Sequence, residues 1–294
     1  MIPLGGYVKM KGQNDADPTQ VSLDDDSYNT KTPAQRIFIL VAGPAANFIL
    51  AFVLYFVIAI GGPTILSPVI GKVVDASPAF TAGLQTNDTV RSINGTPIST
   101  WKDMAEIISS SQGSLNLEIV RNGYIESKIL TPTLQESTNM YGEVIQKKMI
   151  GIGSAGVSHT LDLGFSETFS YATEQTIFAS TMIFTGVKKL LFGEVPAKEL
   201  GGVISIVKIT SDASAAGWMS VLFFAALISV NLGVLNLLPI PALDGGHIMF
   251  NLYELITRHV PTEAVVIKLT IAGWLVLFSL MCLGFDRKST LLNS

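Results

Sequence analysis

Asp244 is the residue in this chain whose setting most plainly invites chemistry. It lies in the run Asn236-Leu237-Leu238-Pro239-Ile240-Pro241-Ala242-Leu243-Asp244-Gly245-Gly246-His247, at the end of an uncharged apolar stretch from Trp218 to Leu238. Pro239 and Pro241 lack N–H groups, so carbonyls one turn earlier lose their helical partners. At membrane depth unpaired backbone survives only against protein or a water-filled cavity, and a carboxylate there calls for a partner or a cation. Asp244 therefore qualifies as a hard oxygen ligand to a metal. It equally qualifies as the cap of a helix over Gly245 to Thr257, and spacing alone does not choose between the two. His247, three positions on, can share a helix face with Asp244, while His159 and His259 read as surface and loop residues. No His-Glu-x-x-His is present, so the paired histidines and base of a zinc protease helix are absent from the sequence. The single cysteine, Cys282, excludes an intramolecular disulfide and a cysteine-rich metal site.

The elements that must position these residues belong to a membrane protein. Charged residues make up 14% of the 294 positions and hydrophobic ones 48%, against about 25% charge in an ordinary soluble chain. Three stretches have the length and apolarity of a bilayer span: 37–60, 218–238 and 265–285, the last with Lys268 near one end. Lys9, Lys11, Lys31 and Arg36 before the first span favour the cytoplasm for that end, which places the long insert outside and the loop bearing Arg258 inside. Met1 to Lys11 lacks the apolar core of a signal peptide. A net charge of −4 gives no footprint for nucleic acid; the partners expected are the lipid bilayer and a membrane-protein or peptide substrate.

Within the insert, Val69–Val74, Thr89–Ile93, Leu115–Val120 and Tyr124–Leu130 read as strands, with hairpin turns at Asn94-Gly95 and Asn122-Gly123. Trp101–Ser110 has helical spacing. Phe165 to Phe192 reads as a mixed, amphipathic helix on the membrane surface or against the spans.

The motif around Asp244 resembles the third-span motif of site-2 proteases, intramembrane zinc metalloproteases, and Leu227 to Gly233 is similar to their RseP branch. Other segments agree in order. Ile2 to Met10, with Gly5, Gly6 and Tyr7, resembles the family's re-entrant β-loop, and Gly43-Pro44-Ala45-Ala46-Asn47 its second-span GPxxN pattern. Glu199 to Ile206 resembles the GGP segment, with Val203 in place of proline. Ser77 to Val90 followed by Ile93-Asn94-Gly95 looks like a bacterial protease PDZ domain. PDZ domains bind extended peptides by strand addition; a β-rich spacer without a ligand is the plainer alternative.

The resemblance implies zinc as cofactor with Asp244 as one ligand. It also implies substrate handling by Asn236, Pro239, Pro241, Gly5, Gly6 and Tyr7, and cleavage of membrane-anchored substrates such as anti-sigma factors or remnant signal peptides. It implies a bacterial inner membrane location, with the PDZ-like domain on the extracytoplasmic side. The expected fold is a polytopic α-helical membrane protein of three spans with an inserted PDZ-like α/β domain and an N-terminal re-entrant β-loop. Its expected parts are 1–36 (β-loop and cytoplasmic segment), 37–60 (span), 61–157 (PDZ-like), 158–217 (amphipathic linker), 218–238 (span, with the motif 236–246), 247–264 (cytoplasmic helix and loop) and 265–285 (span). The family carries HExxH on a first span upstream of the β-loop. The expectation is therefore a chain lacking that span, through a truncated reading frame or an internal start, and inactive by itself. The alternative is a membrane-anchored PDZ peptide-binding module without catalysis.

Overall fold

A computed structural model describes residues 11, 24, 26–139, 141–194 and 217–285. Gly5, Gly6, Tyr7 and the 199–206 segment lie outside them. The chain forms two compact units, one from Met1–Val57 with Phe169–Ser294 and one from Ile58–Thr168.

The first unit is helical. A single 3₁₀ turn, Tyr28–Thr30, leads into α1, Pro33–Ile60. The remaining long helices are α4 (Phe165–Leu191), α5 (Trp218–Leu237), α6 (Asp244–Thr257) and α7 (Glu263–Phe285). Among the described residues α1 and α5 are long and apolar enough to cross a membrane. The described apolar part of α7 is shorter, Ala264–Leu275. α1 buries Leu40, Pro44, Ala51, Tyr55 and Ile58, a stripe at helical spacing. α5 answers with Ala226, Ser229, Val230, Gly233 and Val234. Small residues let these helices approach closely: a Cβ at Gly233 would stand 3.1 Å from ring carbons of Phe48. Ser229 Oγ donates to the Asn47 carbonyl at 2.8 Å, and Tyr55 meets Phe223 edge-on at 5.7 Å.

The second unit is β-rich. Its main sheet has the antiparallel order β4-β3-β5-β6, from Thr96–Pro97, Thr89–Ile93, Leu115–Arg121 and Tyr124–Leu130. Three two-stranded pairs join it: β1 (Thr64–Leu66) with β10 (Ser158–Thr160), β2 (Ile70–Val73) with β9 (Ile152–Ser154), and β7 (Thr133–Thr138) with β8 (Val144–Met149). Along β5, Leu115, Leu117 and Ile119 are buried while Asn116 and Glu118 are exposed, the period-two signature of a half-buried strand. The β5–β6 turn places Asn122 at φ 51 and Gly123 at φ 85, both positive as a type I′ hairpin demands. Helix α3, Trp101–Ser110, buries Met104 and Ile108 and starts at Thr100, whose Oγ accepts from Asp103 N at 3.0 Å. A short helix, α2 (Pro78–Thr81), is capped by Ser77.

Asp88, 1% exposed, holds the loop from Gly83 to the end of β5. Its carboxylate takes a two-pronged bond from Arg121, Nε at 2.8 Å and Nη2 at 2.7 Å, and a third from Gln85 N at 2.8 Å. Arg121 Nη2 also donates to the Gly83 carbonyl at 2.8 Å. The guanidinium is raised above its usual value chiefly by the hydrogen bond to Asp88. Gly83 has φ +75, and a Cβ there would meet only Lys128 Nζ at 4.0 Å. It is glycine for its backbone angle rather than for lack of room.

Candidate functional site

The site is built where α5 breaks. The helix ends at Leu237, and Leu238 to Leu243 forms a tight connection before α6 begins at Asp244. Local bonds replace the helical ones that the prolines forbid: Leu238 N to Leu235 O at 3.1 Å, Ile240 N to Leu238 O at 2.7 Å, and Leu243 N to Ile240 O at 2.8 Å. Leu243 O then accepts from Gly246 N at 3.0 Å, and Pro241 O from Thr270 Oγ at 3.5 Å. The second of these comes from α7, and a Cβ at Gly273 on the same helix would lie 2.9 Å from Ala242 N. The broken backbone is thus packed against protein, the condition under which irregular structure survives at membrane depth.

The two glycines after Asp244 make this connection possible. A Cβ at Gly245 would stand 2.6 Å from the Leu237 carbonyl oxygen and would overlap that of Leu238. One at Gly246 would stand 2.7 Å from the Ile240 carbonyl carbon and would overlap Pro241 Cα. Both glycines are buried. The loop folds back onto the first turn of α6, and only residues without side chains admit it.

Asp244 is the first residue of α6, with Leu243 at the N-cap. It is not the cap residue, yet a carboxylate in the first turn is favoured by the helix dipole. Its Oδ2 lies 3.9 Å from a Cβ built on Gly43, so the structure brings the carboxylate beside Gly43 of α1. Asn236 and Pro241 are half-buried and Pro239 is exposed. His247 packs edge-on to Phe250 at 6.1 Å. His159 lies in the other unit and His259 follows the end of α6. Among the described residues no three His, Cys, Asp or Glu side chains come together as a metal cluster.

Two contacts of α6 escaped sequence reasoning. Glu254 Oε1 accepts from Arg36 Nη2 at 2.9 Å, with both side chains largely buried. Asn251 Nδ2 donates to Tyr28 Oη at 3.1 Å. A polar residue inside an otherwise apolar helix was the available signal, but nothing local in the sequence names its partner.

Comparison with known proteins bears on what this geometry serves. The model of "Peptidase family M50" matches residues 1–280. The chain is 44% identical over 280 residues to "Putative zinc metalloprotease Cj1068" of Campylobacter jejuni, covering 95% of this chain and 76% of that protein. It is 36% identical to "Putative zinc metalloprotease" of Helicobacter pylori, covering 99% and 83%. "Zinc metalloprotease RasP" of Oceanobacillus iheyensis is 32% identical, over 79% of this chain and 54% of that protein.

Proposed function

Because this chain belongs to peptidase family M50, the site-2-type membrane zinc metalloproteases, we propose that it works in intramembrane proteolysis, with Asp244 as an oxygen ligand of the zinc. The observation that carries the reading is the Asp244 carboxylate, held at the head of α6 by a broken membrane helix and presented to Gly43 of α1. The substrate-handling role of Asn236, Pro239 and Pro241 belongs to the same proposal, supported by the break that the two prolines make at the end of the helix. Zinc in such enzymes polarises the scissile carbonyl and activates a water. A catalytic zinc takes about three protein ligands. Asp244 fits one such position, and the described residues do not complete the set.

The β-rich unit is read as PDZ-like. Strand β9 pairs with β2 along one edge, and among the described residues no second strand pairs with it. An edge of that kind accepts an extended peptide by strand addition. Substrates are membrane-anchored proteins of the anti-sigma factor or remnant signal peptide kind. The membrane is the bacterial inner membrane, with the β-rich unit outside.

The test uses the protein expressed from its complete reading frame. Asp244→Asn is expected to lose stoichiometric zinc and to cut cleavage of a membrane-anchored substrate by roughly a hundredfold, the upper range for loss of a metal-site partner. Zinc and cleavage at wild-type levels in that variant would overturn the assignment. Peptide binding by the β-rich unit in a protein that cleaves nothing and holds no zinc would favour a non-catalytic peptide-binding module instead.

A further inference from the structure

We propose that Arg36 with Glu254, and Tyr28 with Asn251, form a two-point clamp that sets the register of α6 against the start of α1. Asn251 and Glu254 are thereby positioning residues for Asp244. The proposal rests on the reading of Asp244 given above.

Helix geometry supplies the first argument. Seven residues at 100° each bring Asn251 within about 20° of Asp244, two turns along. Glu254 lies three residues further, on the neighbouring part of the same face. That face meets three partners in order: Gly43, whose built Cβ is 3.9 Å from Asp244 Oδ2, then Tyr28 at Asn251 and Arg36 at Glu254. Gly43 and Arg36 are both on α1, and the chain direction of α1 opposes that of α6 along the contact.

The chemistry of each point suits a fixed register. Arg36 Nε donates to the Lys31 carbonyl at 3.0 Å while Nη2 holds Glu254, so the guanidinium is bound on two sides and cannot follow a sliding helix. Asn251 is 5% exposed. Its Nδ2 spends one hydrogen on Tyr28 Oη and the other on the His247 carbonyl at 2.8 Å. Its Oδ1 is buried without a hydrogen-bond partner. A leucine would pack here without that penalty. Buried polar groups are best attested as devices that specify register, and this amide has the geometry of one: it ties the helix backbone at His247 to a residue outside the helix.

The need for such a clamp follows from the break before α6. The Leu238–Leu243 connection interrupts the backbone bonds between α5 and α6, so α6 does not inherit its rotation and height from a continuous helix. A slip of one residue would shift Asp244 by about 1.5 Å and turn it by about 100°. Functional groups must be held to within about 0.5 Å.

The test reads register directly, in the complete protein with Cys282→Ser and cysteines introduced by Gly43→Cys and Asp244→Cys. The disulfide between them is expected to form rapidly under mild oxidation. Arg36→Met, Glu254→Gln and Asn251→Leu are each expected to slow it by roughly tenfold, and the charge-swapped pair Arg36→Glu with Glu254→Arg to restore it. In the protein with Gly43 and Asp244 intact, the single variants are expected to lower kcat roughly tenfold with KM unchanged, in line with the sensitivity of catalysis to small misplacements. The swapped pair should recover that loss as well. Wild-type crosslinking in the single variants, or slow crosslinking in the swapped pair, would overturn the clamp. Unchanged cleavage in Asp244→Asn would instead remove the role given to Asp244 and leave the crosslinking result standing.

Discussion

A methyl group added at Gly246 would sit 2.7 Å from the Ile240 carbonyl carbon, against backbone that has nowhere to move. At Gly43 the nearest atom to the same methyl is Asp244 Oδ2 at 3.9 Å, an ordinary contact. The two glycines therefore differ in what a side chain would cost the fold. Gly246→Ala is expected to cost at least ~3 kcal/mol, the upper end of overpacking penalties, and to show as a lost or much lowered thermal transition in detergent. Gly43→Ala is expected to fold with a shift under ~1 kcal/mol, since its methyl makes only an ordinary contact with Asp244 Oδ2. A Gly43→Ala protein that unfolds as readily as Gly246→Ala would contradict this division. The double-glycine step after Asp244 was visible in the sequence as a pattern. The reason for it, a loop folded back onto the first helical turn, depends on the path of Leu238 to Leu243, which two prolines permit without dictating.

At the scale of elements, the ion pair that ties the Gly83–Asp88 loop to the end of β5 is the sharpest target. Asp88 is almost wholly buried, so removing Arg121 leaves its charge without the opposite charge, held, among the described residues, only by Gln85 N. Arg121→Met is expected to destabilise the β-rich unit by about 3–5 kcal/mol, whereas Arg121→Met with Asp88→Leu should cost less, because both charges leave together. Hydrogen exchange of the β5 amides measures both; a double variant worse than the single one would refute the account. The pH dependence has a definite sign. Asp88 raises Arg121 above the ordinary guanidinium value, so this contribution is complete below that value and is lost only as pH climbs past the raised one. Arg121 should therefore add no slope to stability between about pH 6 and about pH 9.

Elements with strong local signals were legible beforehand. The helical spacing of Trp101, Met104, Ala105 and Ile108 marked α3, and the Asn122-Gly123 turn between two strand-like runs marked the β5–β6 hairpin. Strands β7 to β10 escaped because they are short or exposed on both faces, as in Val144–Met149 with Gln146, Lys147 and Lys148 in succession. β9 and β10 also pair with partners far along the chain, β2 and β1 respectively, across the whole unit, whereas β7 and β8 pair with each other. Asp244 and its prolines were legible for a similar local reason, a carboxylate beside a broken apolar helix. Its approach to Gly43, and the Arg36–Glu254 pair 218 positions apart, were not, because neither sequence neighbourhood contains the other.

For the whole molecule the testable quantity is orientation in the membrane. Lys11 and Lys31 precede α1, Arg36 lies in its first turn, and Arg258 closes α6 in a left-handed cap just before α7. Positive charge in short loops favours the cytoplasm. If α1 and α5 both span, the expected outcome is that both basic stretches label from one side and the β-rich unit from the other. The pairing of Arg36 with Glu254 argues for the same arrangement from a different direction, since it requires the start of α1 and the end of α6 to share one side. In a Cys282→Ser background, a cysteine at Asn122, in the exposed β5–β6 turn, should react with a membrane-impermeant maleimide in intact spheroplasts. A cysteine at Arg258 should react only after the membrane is opened. The reverse pattern would invert the topology. Labelling of both in intact cells would mean that α1 and α5 do not each cross the bilayer, and the membrane-depth argument for Asp244 would fall with them.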